Sequence, residues 1–355
     1  MRSKQGLSSK KRIPITQMND NGAKIRKMPS TLKPARTRQL IRRFHTLLKN
    51  KSEILSRIGL SGNKEITEAN YREFIHKDGR LEKIYQSERE ETIKKLKLNK
   101  LPREQGQGID KLKIEDLAAK LGKIDGEIAK RGGLKVYQIA SIKGQDQKRG
   151  GDSSKKMVKW LTELDIWKDP SERPTALEIG SLSSRNCISS CSMFKKVTRI
   201  DLNSQEPGLI LQQDFLKRPL PKGSQDQFDL ISCSLVLNFV TSAEARGDML
   251  KRITCFLKQP SKAVESKPLF FLVLPLPCVT NSRYCNKQTI GKIMTNLGFT
   301  CLKFHESSKL AYWLYQWKGS DFISKKFIFK KKEILSGSKR NNFCVVIEKD
   351  NEDKR

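Results

Sequence analysis

From Thr175 onward the sequence changes texture, with short β-type runs alternating with helical stretches, and nothing else so narrows what the chain can fold into. Strands are expected at 176–179, 197–202, 211–215, 228–234 and 269–275, with later ones near 300–305, 311–317 and 343–348. Helices are expected near 186–194, 242–258 and 286–297. Alternation over this length specifies an α/β fold built on a doubly wound sheet with parallel pairs. The lysine-rich stretch 318–340 reads as an insertion or loop before the last strand. The longest apolar run, 269–279, is about half of the roughly 20 residues a membrane-spanning helix needs, and Pro275 and Pro277 interrupt it.

At 355 residues the chain has room for two domains, or for one large domain with extensions. Residues 1–35 scatter Pro14, Pro29 and Pro34 among Lys and Arg without periodicity, the pattern of a disordered basic arm. The basic N-terminus has no apolar segment behind it, so no secretory signal is expected. Residues 36–135 read as a helical N-terminal region, and residues 136–350 as the α/β domain. Leu40, Ile41, Phe44, Leu47 and Leu48 recur at helical spacing with Arg42, Arg43 and Lys49 on the other side. A second helical stretch, 65–100, breaks near Asp78-Gly79. A third, 114–129, carries Leu117, Leu121, Ile124 and Ile128 and stops at Gly132-Gly133. Most lysines of this region read as a solvated face.

The formal net charge is +33, which points to a polyanionic partner. Its distribution is uneven: residues 1–50 carry 14 basic side chains and one acid, while residues 151–250 carry 13 of each. Residues 251–355 carry 21 basic and 8 acidic side chains. The neutral block is therefore where small-ligand chemistry is expected. Eight cysteines without a Cys-x-x-Cys pair, and only His45, His76 and His305, write no zinc-ligand set. No metal is expected. Cys233, Cys255 and Cys344 lie in apolar stretches as small hydrophobes, which reads as a reduced, intracellular chain.

In a doubly wound sheet, ligands bind outside the carboxyl ends of the strands, at the switch point. The first strand ends Leu177-Glu178-Ile179-Gly180, and the second ends Arg199-Ile200-Asp201, 21 residues after Gly180. A glycine in the first turn lets the backbone approach a ligand, and an acid about 20 residues on can accept from a ribose diol. Asp214 offers an acceptor to an adenine amino group, with the apolar Phe215 beside it, and the fourth strand ends at Ser234. These four ends suit an adenine nucleoside. A dinucleotide needs Gly-x-Gly-x-x-Gly for its pyrophosphate, whereas here Ser181-Leu182-Ser183-Ser184 follows a single glycine. S-adenosylmethionine has no phosphate and tolerates that loop. Upstream, Asp152 or Ser153 can cap the helix holding Met157, Trp160 and Leu161, and the same loop can face a ligand.

Several uncommon strings then recur in order. They are Tyr137-Gln138 with Ala140-Ser141, Arg149-Gly150-Gly151-Asp152-Ser153-Ser154-Lys155, Leu177-Glu178-Ile179-Gly180 and Ile200-Asp201-Leu202-Asn203. Further on come Ser234-Leu235-Val236-Leu237-Asn238-Phe239-Val240, Arg246-Gly247-x-Met249-Leu250, Leu274-Pro275-Leu276-Pro277-Cys278 and Asn281-Ser282-Arg283-Tyr284. Over roughly residues 135–317 the chain resembles the fungal nucleolar 25S ribosomal RNA adenine-N1 methyltransferases. The resemblance implies a class I (Rossmann-like) methyltransferase domain, S-adenosyl-L-methionine as donor, and action in the nucleus and nucleolus. By the family motif Gly180 and Asp201 look like cofactor contacts, and Asp214, Phe215 and Ser234 extend the same crevice.

The implied partner is ribosomal RNA or a pre-60S particle, with no membrane and a monomer favoured. Adenine N1 carries an in-plane lone pair and needs no general base, so positioning is the main requirement. The target base must be unpaired or flipped out. Asn238 lies close enough to the end of the fourth strand to hydrogen-bond the adenine edge, and Arg283 could hold a phosphate. A non-catalytic S-adenosylmethionine sensor acting through a protein partner, or an assembly scaffold that has kept only the fold, would carry the same cofactor motifs. The basic flanks favour the enzyme. If a neutral crevice holds the donor and basic flanks hold RNA, filter binding and calorimetry across a salt series should separate them. RNA affinity should fall steeply with salt while donor affinity barely moves.

Overall fold

The computed structural model describes residues 34–61, 66–68, 70–98, 112–133, 152–167, 173–204, 206–260, 267–324 and 327–348. All but the last two residues of the expected basic arm lie outside them, as do Tyr137 to Ser141 and Arg149 to Gly151. The sheet has seven strands: β1 (Thr175–Ile179), β2 (Lys196–Asp201), β3 (Leu211–Gln212), β4 (Leu230–Ser234), β5 (Leu269–Pro275), β6 (Phe299–Glu306) and β7 (Leu310–Trp317). Their order is β3-β2-β1-β4-β5-β7-β6. The first five strands run parallel, and β7 runs antiparallel between β5 and β6. A doubly wound sheet with one reversed strand second from its edge is the class I methyltransferase arrangement that the sequence led us to expect. The order reverses between β1 and β4, which opens a crevice at their carboxyl ends.

The central strand shows why the alternation was decisive. Phe270, Leu272 and Leu274 of β5 join one core cluster, while Leu269, Phe271 and Val273 join another. Successive side chains point to opposite faces, so an unbroken apolar run is what a strand covered on both sides requires. On one face lie α5 (Ser154–Leu164) and the single turn α6 (Cys187–Ser190), bringing Met157, Trp160, Leu161 and Ile188. On the other lie α7 (Ala243–Phe256) and α9 (Lys287–Asn296), bringing Met249, Ile253, Phe256, Ile290 and Ile293. The short α8 (Pro277–Thr280) links β5 to the loop before α9.

Three sequence expectations are corrected. The strand expected at 211–215 stops at Gln212, because Asp214 accepts the Leu216 N–H at 2.9 Å and turns the chain into a short 3-10 helix. The helix expected at 186–194 is only the turn Cys187–Ser190. The strand expected at 343–348 is not in the sheet. Its β-branched residues are buried, but its backbone bonds elsewhere: Val346 N–H donates to Ala243 O at 2.9 Å. Phe329 and Ile347 form an isolated antiparallel bridge. Gly247 makes this docking possible, since a Cβ there would collide with Val346 O. Beside it the buried Arg246 donates from Nη1 to Cys344 O at 2.8 Å and lies over the Phe343 ring. The Arg246-Gly247 string is thus the seat of the segment 343–347.

The N-terminal helices are α1 (Pro34–Ser61), α2 (Tyr71–His76), α3 (Gly79–Lys97) and α4 (Ile114–Lys130). Asp78 accepts the Arg80 and Leu81 N–H groups and so starts α3 at the expected break. Leu47, Ile54 and Ile58 of α1 pack with Tyr85 of α3 and Leu117, Leu121 and Ile124 of α4. Arg43 is not merely solvated but donates two bonds of 2.7 Å to Glu127. Lys51 departs furthest from the solvated-face reading, being 3% exposed. Its ammonium donates to Asp125 (2.7 Å), Glu68 (2.6 Å) and the Tyr71 hydroxyl (2.9 Å). The other Asp125 oxygen accepts from Tyr71 and Tyr85 at 2.7 and 2.6 Å. Burial alone would lower the Lys51 pKa, but Asp125 and the other acceptors outweigh it and raise it. Removing one partner strands a buried charge. Lys51→Met should therefore cost about 3–5 kcal/mol of helical-region stability in urea denaturation followed by circular dichroism.

Candidate active site

The carboxyl ends of β1, β2 and β4 converge on the crevice. At the end of β1 the chain turns at Gly180, φ +76°, where glycine carries no steric penalty. The Gly180 and Ser181 N–H groups both donate to Ile200 O, at 2.8 and 3.1 Å, folding the turn across β2. A Cβ at Gly180 would collide with Val236, so the turn after β1 lies directly against the loop after β4. That loop leaves its strand abruptly. Leu235 sits at φ +58°, a left-handed conformation costly for a γ-branched side chain, while its N–H donates to Val273 O at 2.9 Å. Three residues on, Asn238 Oδ1 is buried without a hydrogen-bond partner, and so is Ser204 Oγ after β2. Buried polar atoms are normally satisfied, and leaving one unpaired costs about 1–3 kcal/mol.

Asp201 ends β2, where its Oδ1 accepts the Asn203 N–H at 2.8 Å and burial pushes its pKa up. Ser234 ends β4 and shares a 2.7 Å hydrogen bond with Ser153 Oγ. Gly180, Asp201, Ser234 and Asn238 thus occupy one edge of the sheet. The other sequence candidates are engaged differently. Asp214 spends one oxygen on the turn after β3, and Phe215, 3% exposed, packs on Phe256 with ring centroids 5.2 Å apart. Arg283 directs its guanidinium into the loop 337–342, donating to Asn342 Oδ1 (2.5 Å), Gly337 O (2.8 Å) and Arg340 O (3.3 Å). Those donors tie two segments together instead of standing open to a phosphate.

Two parts of the site went unread in the sequence. Asp152 does more than begin α5. Its Oδ1 accepts the Ser154 N–H and hydroxyl (2.8 and 2.6 Å), and its Oδ2 accepts the Cys187 N–H of α6 (2.5 Å). Ser154 Oγ accepts the Ile188 N–H at 3.0 Å, whereas Ser153 makes no cap bond and reaches Ser234 instead. The Asp152-Ser153-Ser154 turn therefore clamps α6, and with it the loop after β1, to the end of β4. Glu178, 7% exposed in β1, accepts the Ser181 hydroxyl (2.7 Å) and the Asn186 amide (2.8 Å), bracing the same loop from below. Burial pushes its pKa up to about 6. For Glu178 the signal was an acid inside a string otherwise suited to burial, Ala176-Leu177-Glu178-Ile179. Among the described residues no cluster of His, Cys, Asp or Glu could hold a metal ion, and no helix is long and apolar enough to cross a membrane.

Known proteins are similar to the chain over most of its length. Residues 122–345 match the profile of the family described as 25S rRNA (adenine(2142)-N(1))-methyltransferase, Bmt2. The chain is 38% identical over 327 residues to the 25S rRNA (adenine(2142)-N(1))-methyltransferase of Saccharomyces cerevisiae, covering 89% of this chain and 93% of that one. It is 44% identical over 219 residues to the 25S rRNA adenine-N(1) methyltransferase of Schizosaccharomyces pombe, covering 60% and 76%. Among solved structures, a Burkholderia thailandensis 1,6-didemethyltoxoflavin-N1-methyltransferase with bound S-adenosylhomocysteine aligns at TM-score 0.34 and 11% identity, over 52% of this chain and 88% of its own.

The position of Glu178 has a measurable consequence. An unfolded chain loses this proton near the ordinary value of 4.5, and the folded chain near 6, so stability falls as pH rises through that window. Urea denaturation of the wild type and of Glu178→Gln at about pH 4.5 and about pH 7.5 should show their difference shifting by about 1–2 kcal/mol in the variant's favour.

Proposed function

The chain belongs to the 25S rRNA (adenine(2142)-N(1))-methyltransferase family, and from that membership we propose how its crevice carries out S-adenosyl-L-methionine-dependent methylation of adenine N1 in large-subunit ribosomal RNA. The target is the adenosine corresponding to that named 2142 in the family description and in the Saccharomyces cerevisiae relative. The two curated relatives are both named as methyltransferases, which favours transfer over sensing. The residues present suit the donor. Gly180 lets the turn after β1 close against Val236 at the crevice, Asp201 offers a half-buried carboxylate to a ribose diol, and Ser204 Oγ stands unpaired nearby in sequence. Asp214 presents its carboxylate toward an adenine amino group, and Phe215 supports that end of the crevice from the core. Ser234, braced by Ser153, lines the crevice where β4 ends. When bound, S-adenosylmethionine supplies an electrophilic sulfonium methyl group.

The observation that carries the mechanism is the buried, unpartnered Oδ1 of Asn238. An unpaired or flipped adenine would donate its exocyclic N–H to that oxygen, which aims N1 along the line of attack. As N1 becomes alkylated, positive charge spreads to the exocyclic nitrogen, so the same bond strengthens toward the transition state. No residue need remove a proton, because N1 attacks with its free lone pair. Arg283 serves RNA binding by anchoring the loop 337–342. The protein acts in the nucleolus, on ribosomal RNA or a pre-60S particle, during ribosome biogenesis, a reading that the family's substrate and the basic flanks support, and a monomer is proposed with it.

The purified protein, incubated with labelled donor and large-subunit rRNA, should yield 1-methyladenosine on nucleoside analysis. Asn238→Ala should lower turnover at least tenfold with donor affinity unchanged by calorimetry, whereas Asp201→Ala should abolish donor binding. Undiminished methylation by the first variant removes Asn238 from the mechanism, and retained affinity in the second removes Asp201 from the crevice.

A further inference from the structure

The lysine-rich stretch 318–340 accounts for much of the charge in the last third of the chain, and the donor crevice makes no use of it. Between Phe327 and Asn341 it holds Lys330, Lys331, Lys332, Lys339 and Arg340 against the single acid Glu333. Its backbone is fastened to two loops. Ile334 and Leu335 N–H groups both donate to Arg283 O, at 2.7 and 3.2 Å, and Asn341 N–H donates to Asn281 O at 3.0 Å. Phe329 and Ile347 exchange both backbone bonds, at 2.9 and 3.0 Å, and the neighbouring Val346 is held by Ala243. The loop 281–284 follows β5 and Ala243 follows β4. The basic stretch is thereby fastened to the segments that leave the two strands flanking the proposed methyl-transfer position.

Between this stretch and α9 lies a groove of about 510 Å³, lined by residues that include Tyr284, Asn286, Lys292, Phe329, Lys330 and Lys332. No carboxylate is among its described lining residues. Lys331 places its Nζ 4.6 Å from the centre of the Tyr284 ring. Lys292, Lys330 and Lys332 are exposed. Cations around aromatic and amide groups suit a strand whose phosphates are paired by lysine and whose bases have a ring to lie against. An A-form duplex would instead hide the adenine N1 that the enzyme must reach.

We propose that this groove between α9 and residues 328–334 binds the single-stranded RNA that adjoins the target adenosine. The inference rests on the RNA-methylating reading and assigns a second, donor-independent part of the substrate site. The groove grips the strand while the crevice holds the base, so one chain uses two separable surfaces on one substrate.

Fluorescence anisotropy with a short, labelled oligoadenylate and the full chain tests it. The triple variant Lys330→Gln, Lys331→Gln, Lys332→Gln should bind at least tenfold more weakly, with the slope of log affinity against log salt smaller by about 2. Its donor affinity should match that of the wild type. A control triple, Lys83→Gln, Lys94→Gln, Lys97→Gln, removes the same charge from exposed positions on α3 and should change RNA affinity less than threefold. Equal losses in the two triples, or wild-type affinity and KM for rRNA in the groove triple, overturn the assignment. So does unchanged oligoadenylate binding with weakened attachment to pre-60S particles, which would point to a protein occupant. If the wild type binds oligoadenylate through the groove but never methylates rRNA, the functional reading fails and the groove stands.

Discussion

The site depends on one close approach, that of Gly180 to Val236. Strand order alone would leave a gap between the ends of β1 and β4, because the chain winds away from the switch point in opposite directions. Here the two outgoing loops touch, and they touch because one residue has no side chain and another, Leu235, accepts a strained backbone. The contact delivers Asn238 to a buried position that it would not otherwise reach. Glu178 below and the Asp152-Ser153-Ser154 turn beside it keep the β1 loop from relaxing away. Asn238, which we assign to the base, follows directly on this contact.

The same logic of backbone against backbone recurs at Gly247, where α7 accepts the segment 343–347. In both places a glycine marks a contact between elements far apart in sequence. The two contacts also divide the labour. The first builds a neutral pocket from the block 151–250, and the second secures a basic stretch from the last third of the chain. The uneven distribution of charge is thus a map of two recognition problems, one for a small zwitterionic donor and one for a polyanion.

Much of this was legible in the sequence for a simple reason. The β5 run is apolar at both parities, and that pattern has few stable homes other than the middle of a covered sheet. The turn glycine and the acid that ends β2 were visible because their spacing follows from strand and helix lengths. What escaped was whatever depends on partners distant along the chain. Lys51 reads as one more solvated lysine until Asp125, 74 residues on, is folded against it. Glu178 is the exception: its partners Ser181 and Asn186 are near in sequence, and it escaped because nothing in the string Leu177-Glu178-Ile179 shows which groups its carboxylate accepts from. The segment 343–347 has the composition of a strand, and only the docking surface offered by Arg246-Gly247 decides that it lies outside the sheet.

One feature of the basic stretch bears on how such a protein can change over time. It is held by main-chain bonds: Ile334 and Leu335 to Arg283, Asn341 to Asn281, and Phe329 to Ile347. Main-chain anchors do not depend on which side chains the intervening residues carry. Residues 330–332 can therefore be exchanged one at a time, for longer, shorter or uncharged alternatives, without disturbing the sheet or the donor crevice. Natural variation has a place to retune the hold on a ribosomal target while the chemistry stays fixed.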